Sequence, residues 1–125
     1  MCCYCIWYNL PRFVLECNES MPMYKTKRTI KTSLIILTRN EIDGLRAVLP
    51  KIPFKAFDEY FAVDYQSTDG TVEFFKRRHV PVVAQEKPGR AEAFYLGTGL
   101  AEGTSLVFFS PDGNEDPADL PRILR

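Results

Sequence analysis

Glu41, Asp64, Arg90 and Asp112 are the side chains of this sequence best placed to meet a charged ligand. Asp112 belongs to the stretch Ser110-Pro111-Asp112-Gly113-Asn114-Glu115-Asp116-Pro117, which follows the apolar run Leu106-Val107-Phe108-Phe109. The run reads as a buried strand, and Pro117 is well placed to open a helix. Open α/β sheets put their ligand chemistry at the carboxyl ends of such strands. A carboxylate there can bind a hard divalent cation, and the cation can hold a diphosphate. The same octapeptide also reads as a solvated acidic turn, and the residues alone leave both readings open.

The elements that would position these groups follow from periodicity. Ser33-Leu34-Ile35-Ile36-Leu37-Thr38 is an apolar run of strand length, as expected for a strand covered on both faces. Asn40 is placed to cap a helix in which Ile42, Leu45, Val48 and Leu49 share a face, stopped by Pro50 and Pro53. Tyr60 to Asp64 is a second strand, Ser67 to Thr71 a turn, and Val72 to Arg78 a short helix with Phe75 facing the core. Val80 to Ala84 is a third strand, Gln85 to Gly89 a loop, and Arg90 to Glu102 a helix with Ala93, Gly97, Leu100 and Ala101 on one side. Thr104 to Phe109 is the fourth strand, followed by a last helix whose apolar residues are Leu120, Ile123 and Leu124. Strands alternating with helices mean βαβ units, a mostly parallel sheet and right-handed crossovers.

In that scheme the loops Thr38-Arg39-Asn40-Glu41, Asp64 to Thr71 and the acidic turn all follow strands and share one edge of the sheet. Pro88-Gly89-Arg90 opens a helix there and adds a cation. Acidic groups accept hydrogen bonds from base N–H and ribose hydroxyls, while a guanidinium and a helix N-terminus face phosphate. The set suits a nucleoside diphosphate. Structural roles compete for each residue: Asn40 as a cap, Glu41 as a first-turn carboxylate against the helix dipole, Asp69 as a turn residue, and Arg90 as an exposed helix start. Asp64 is harder to dismiss, because a carboxylate closing an apolar strand must find partners. His79, beside Lys76-Arg77-Arg78, reads as solvated, and Phe74 and Phe75 as core.

Composition bounds the rest. The 125 residues suffice for one domain, and 46% hydrophobic with 26% charged residues is ordinary for a globular chain. A formal net charge of zero argues against a general nucleic-acid binder. No apolar run approaches the roughly 20 residues that span a bilayer. Of the four cysteines, Cys2, Cys3, Cys5 and Cys17, the first three are crowded and the single histidine, His79, is far away in sequence, which argues against a zinc site. A secretory signal is weak, since a basic n-region is missing and Pro11 and Arg12 interrupt the apolar stretch. The absence of later cysteines suggests a reducing compartment. Residues 1–32 read as a poorly specified extension, within which Met21 or Met23 is an alternative start, and 33–125 as the folded unit.

The order of motifs resembles the family 2 glycosyltransferases. It runs Thr38-Arg39-Asn40-Glu41, Asp64-Tyr65-Gln66-Ser67-Thr68-Asp69-Gly70-Thr71, Gly89-Arg90-Ala91-Glu92-Ala93 with Gly97 and Ala101-Glu102-Gly103, and then Ser110 to Pro117. Within the family it looks most like the dolichyl-phosphate mannose synthase and polyprenyl-phosphate glycosyltransferase subgroup. The resemblance covers about residues 33–124 and implies a GT-A fold: a Rossmann-like, mostly parallel α/β sheet with flanking helices. It also implies a nucleotide-sugar donor. By the same resemblance Thr38, Asn40, Glu41, Asp64, Gln66, Ser67, Asp69, Gly89 and Arg90 bind the nucleotide. Asp112 and Arg90 are then the catalytic groups, and Asp112 and Asn114 hold Mg²⁺ or Mn²⁺.

Three departures qualify it. Ser110 replaces the first Asp of the family's D-x-D turn, which weakens the expected metal site. Asp64-Tyr65 replaces the usual Asp-Asp pair. The chain ends where the acceptor half of the family's domain would begin. The expectation is therefore the nucleotide-sugar-binding half of an enzyme that transfers sugar from a nucleoside diphosphate to a polyprenyl phosphate or saccharide. The alternative is a non-catalytic binding fragment or subunit, completed by a partner chain. A cytoplasmic location, peripheral to a membrane, goes with the first expectation.

Overall fold

The computed structural model describes residues 31–124. The cysteines, the alternative starts and nearly all of the expected extension lie outside that range, although Thr32 already belongs to the first strand. The elements in order are β1 (Thr32–Thr38), α1 (Ile42–Val48), two 3₁₀ turns (Leu49–Lys51 and Phe54–Ala56), β2 (Glu59–Asp64), α2 (Thr71–Arg77), β3 (Val82–Ala84), α3 (Arg90–Leu100), β4 (Ser105–Phe109), a 3₁₀ turn (Pro117–Asp119) and α4 (Leu120–Ile123).

The four strands form one sheet in the order β3-β2-β1-β4. Every pair is parallel, with Leu34 opposite Tyr60 and Val107, and Thr38 opposite Asp64. The sheet has helices on both faces because alternate residues of β1 are apolar in both directions. Leu34 and Ile36 pack with Leu45, Val48, Phe75 and Leu120 from α1, α2 and α4. Ile35 and Leu37 pack with Val63, Val83 and the α3 residue Ala93. Phe75 is wholly buried, as the sequence predicts. Phe74 is partly buried against the same core and carries the Arg78 guanidinium 5.4 Å above its ring. The exposed His79 takes a left-handed φ of 58° at the end of that helix.

Several element ends differ from the sequence expectation. The third strand begins at Val82 rather than Val80, because Pro81 has no N–H for a ladder; its carbonyl still accepts from Ala62 N–H at 2.8 Å. Helix α3 ends at Leu100, where Glu102 N–H turns back to the buried Glu59 carboxylate (2.8 Å) and Gly103 N–H to Ser33 Oγ (3.0 Å). A Cβ at Gly103 would collide with that Ser33 hydroxyl. Leu100 therefore points outward, 36% exposed, instead of joining the core with Ala93 and Gly97. In the last helix only Leu120 is buried; Ile123 is 63% exposed.

The chain leaves β1 to build β2 and β3 on one side, then returns across the sheet through α3 to place β4 on the other. The reversal puts a crevice at the carboxyl ends of β1 and β4. Among the described residues no helix is long and apolar enough to cross a membrane.

Candidate functional site

The loops after β1 and β2 are interlocked. Asn40 is not the expected helix cap: its φ is 54°, in the left-handed region that Asn tolerates, and its side-chain oxygen accepts from Thr68 N–H at 2.8 Å. The N–H groups that open α1 are capped from the other loop. Asn40 N–H donates to Ser67 Oγ (2.8 Å), Glu41 N–H to Thr71 Oγ1 (3.0 Å) and Ile42 N–H to Asp69 Oδ2 (3.0 Å). Asp69 also accepts from Thr71 N–H and Thr71 Oγ1. Asp64 lies beneath, 3% exposed, accepting from Thr38 Oγ1 (2.8 Å), Ser67 Oγ (2.5 Å) and Ser67 N–H (3.0 Å). The partners that a strand-ending carboxylate requires are supplied by the protein itself.

Next to this unit a cleft of about 190 Å³ opens at the carboxyl edge, lined by Leu37, Thr38, Arg39, Glu41, Tyr65, Gln85, Gly89, Arg90, Ala93 and Ser110. The Arg39 guanidinium lies 5.1 Å from the centre of the Tyr65 ring, within cation–π range. Gln85, 4% exposed, donates its side-chain amide to the carbonyls of Lys87 (2.6 Å) and Gly89 (2.9 Å). Those bonds fix the loop that ends in Gly89, where a φ of 113° suits only glycine. The next residue, Arg90, opens α3 and donates from Nη2 to Ser110 Oγ at 3.3 Å.

The carboxylates of the acidic turn bind their own loop. Asp112 Oδ1 accepts from Asn114 N–H (3.0 Å), Glu115 Oε2 from Ser110 N–H (2.9 Å) and Asp116 Oδ1 from Ala118 N–H (2.9 Å). Burial, then the negative charges of Asp112 and Asp69, push the Glu41 carboxyl above its ordinary value. At Asp69 burial acts in the same upward sense, but hydrogen bonds from Thr71 and from Ile42 N–H outweigh it and hold the carboxyl below its ordinary value.

No protein-family model and no curated protein sequence matches the chain. Solved structures do. Glucosyl-3-phosphoglycerate synthase from Mycobacterium tuberculosis, in complex with Mg²⁺ and uridine diphosphate, superposes with a TM-score of 0.66 at 26% identity, covering 74% of this chain and 37% of that one. The same enzyme with Mn²⁺ and UDP-glucose gives 0.66 at 25% identity, over 74% and 37% of the two chains. With glycerol 3-phosphate bound as well it gives 0.66 at 25% identity, over 74% and 38%.

This chain has the GT-A fold. It spans little more than a third of the length of those proteins. The neighbours are GT-A glycosyltransferases of family 2, which supports the resemblance at that level.

On this GT-A sheet Thr38, Glu41, Gly89 and Arg90 line the cleft, and Ser110 faces them across it. Asp64, Ser67, Asn40 and Asp69 lie on the same edge but hold the two loops together. Gln66, exposed with a left-handed φ of 48°, does not line the cleft. Asp112 and Asn114 are exposed and do not line the cleft, although the Asp112 charge reaches Glu41. Gln85, Tyr65 and Arg39 line the cleft without having been assigned from sequence; a polar residue at a strand end, before a Gly-containing loop, is the signal that marks Gln85.

The neighbours carry Mg²⁺ or Mn²⁺. Tested against such an ion, the donor set here does not fit. Among the described residues no group of three or more ligating side chains converges. Asp112 is tied to its own turn, and the residue facing Arg90 is a neutral hydroxyl.

Proposed function

We propose that this chain forms the nucleotide-sugar-binding part of a glycosyltransferase, with the cleft between β1, β3 and β4 as the donor site. The observation that carries the reading is the convergence of Arg90, Gly89 and Ser110 with Glu41 and the Arg39–Tyr65 pair at the carboxyl edge, where the strand order reverses. The first turn of α3 has no side-chain cap and opens on this cleft, whereas the start of α1 is filled by Ser67, Asp69 and Thr71. The diphosphate therefore belongs on the Arg90 side. The nucleoside belongs toward Glu41 and Tyr65, where a carboxylate accepts from base N–H or ribose hydroxyl and a ring offers a stacking face.

In the transfer, the bond from the anomeric carbon to the diphosphate oxygen breaks as an acceptor oxygen bonds to that carbon. The nucleoside diphosphate leaves with the electron pair. The Arg90 guanidinium stabilises the charge that builds on the departing oxygen, which is electrostatic rather than covalent catalysis. The acceptor that suits the reading carries a phosphate, already anionic and needing no general base. Polyprenyl phosphates share that group with the glycerol 3-phosphate of the neighbouring complex.

The test is incubation of the full chain with UDP-glucose or GDP-mannose and either dolichyl phosphate or 3-phosphoglycerate, with release of nucleoside diphosphate followed by chromatography. Transfer identifies the acceptor class, and binding by calorimetry without turnover identifies a binding module. Absence of heat with every nucleoside diphosphate and its sugars overturns the assignment.

A further inference from the structure

We infer that the donor diphosphate is held here without a divalent cation: Arg90, which meets the neutral serine at position 110 and no acidic partner among the described residues, supplies the counter-charge itself. The inference rests on the nucleotide reading of the cleft and concerns how its phosphate side is built.

Among the described residues the one hydrogen bond that engages the Arg90 side chain is to a neutral hydroxyl, Ser110 Oγ. A guanidinium presents five N–H donors, so most remain for an anion. Because Ser110 Oγ accepts from Arg90, its own proton can be given to a second oxygen. The pair therefore presents N–H and O–H donors and no negative charge. A carboxylate at position 110 would form an ion pair with Arg90, cancel its charge and present acceptors to phosphate; only a cation between them would then make the site attractive. Ser110 removes that requirement.

The other acidic groups do not restore it. Glu115 and Asp116 each accept a backbone N–H of their own loop, as does Asp112. Glu41 faces the cleft from the α1 side, among the charges of Asp69 and Asp112. Among the described residues no three of these groups converge as a ligand set. Within the one cleft Glu41 offers an acceptor to hydroxyl and N–H donors, and Arg90 offers a cation to phosphate.

Calorimetry of the full chain with UDP and with GDP, in EDTA and in Mn²⁺, tests this. The expected result is the same affinity in both buffers for whichever nucleotide binds. Ser110→Asp is expected to bind about 10- to 100-fold more weakly in EDTA, the effect of removing a charge-assisted contact, with affinity regained in Mn²⁺. Ser110→Ala is expected to stay independent of the cation. Binding of the unsubstituted chain only in Mn²⁺ overturns the inference and leaves the nucleotide reading standing. So does a cation requirement in Ser110→Ala, or full affinity of a folded Ser110→Asp in EDTA. Lack of binding of either nucleotide in both buffers overturns the nucleotide reading, and this inference with it.

Discussion

Gly44 of α1 lies directly against the carbonyl oxygen of Pro111, so that a Cβ built at Gly44 would collide with it. Pro111 is fully buried between Ser110 and Asp112. The contact sets how closely the first helix approaches the turn after β4, and so the width of the cleft between Glu41 and Ser110.

Gly44→Ala separates helix propensity from this packing. In an exposed helix the change would stabilise by about 0.5–1 kcal/mol. Here the obstacle is backbone, which cannot swing aside, and overpacking costs about 1–3 kcal/mol. The expected net result is a lower midpoint in urea denaturation together with weaker UDP binding. A midpoint at or above that of the parent chain would show that the turn yields without cost.

Asp64 is expected to act through the loops. Asp64→Ala leaves Thr38 Oγ1, Ser67 Oγ and Ser67 N–H without their acceptor. Stranding buried donors costs about 1–3 kcal/mol. Denaturation should show that loss with no ligand present, and UDP binding should weaken because Asn40 and Ser67 no longer hold the two loops together. Intact stability with lost nucleoside affinity would instead make Asp64 a direct ligand.

The legible and illegible parts of this chain divide by range. Apolar runs such as Leu34 to Leu37 announce buried strands, and the βαβ rhythm then fixes a parallel sheet with Glu41, Asp64, Arg90 and Asp112 on one edge. What closes those loops is remote in sequence. The cap on Ile42 comes from Asp69, and Asn40 gives up capping to bond Thr68. A local reading of Asn40 before a helix could not see a left-handed backbone that serves another loop. Likewise the outward turn of Leu100 is set by Glu59 and Ser33 receiving Glu102 and Gly103, contacts that join residues 43 and 70 positions apart. Ser110 and Tyr65 stand out as departures from the family pattern, but the Arg90 hydroxyl contact and the Arg39 stacking that give them a role needed coordinates.

The two shifted carboxyls give opposite pH dependences. Glu41 is raised above its ordinary value of 4.5, so between that value and its folded pKa the folded chain binds more protons than the unfolded one, and stability falls as pH rises through the window. Asp69 is lowered from 3.8, so its contribution is present above that value and is lost as pH falls through the folded pKa. Thermal melts across this acidic range should therefore show Glu41→Gln gaining relative to the parent as pH climbs past 4.5. Asp69→Asn should lose its deficit as pH drops below 3.8. A Glu41→Gln profile parallel to that of the parent chain would mean that burial and the neighbouring charges do not raise the carboxyl at position 41.

Gln85 controls Arg90 without touching a ligand-facing group of it. Its amide donates to the carbonyls of Lys87 and Gly89, while its backbone N–H donates to the Asp64 carbonyl at 2.8 Å. The residue thus joins the end of β2 to the loop that launches α3. Gln85→Glu keeps the shape but turns the donating end into an acceptor against two carbonyl oxygens. The loop must then move or the new carboxyl must stay protonated. The expected cost is about 1–3 kcal/mol of stability at neutral pH, partly recovered in acid, where protonation restores one donor. Gln85→Met, which removes the donors without adding charge, should lose stability with no recovery in acid. Both should weaken UDP binding by displacing Gly89 and with it the guanidinium that meets the phosphates. Urea denaturation at two pH values with parallel calorimetry checks this, and unchanged UDP affinity in a measurably destabilised Gln85→Glu would separate the loop from the site.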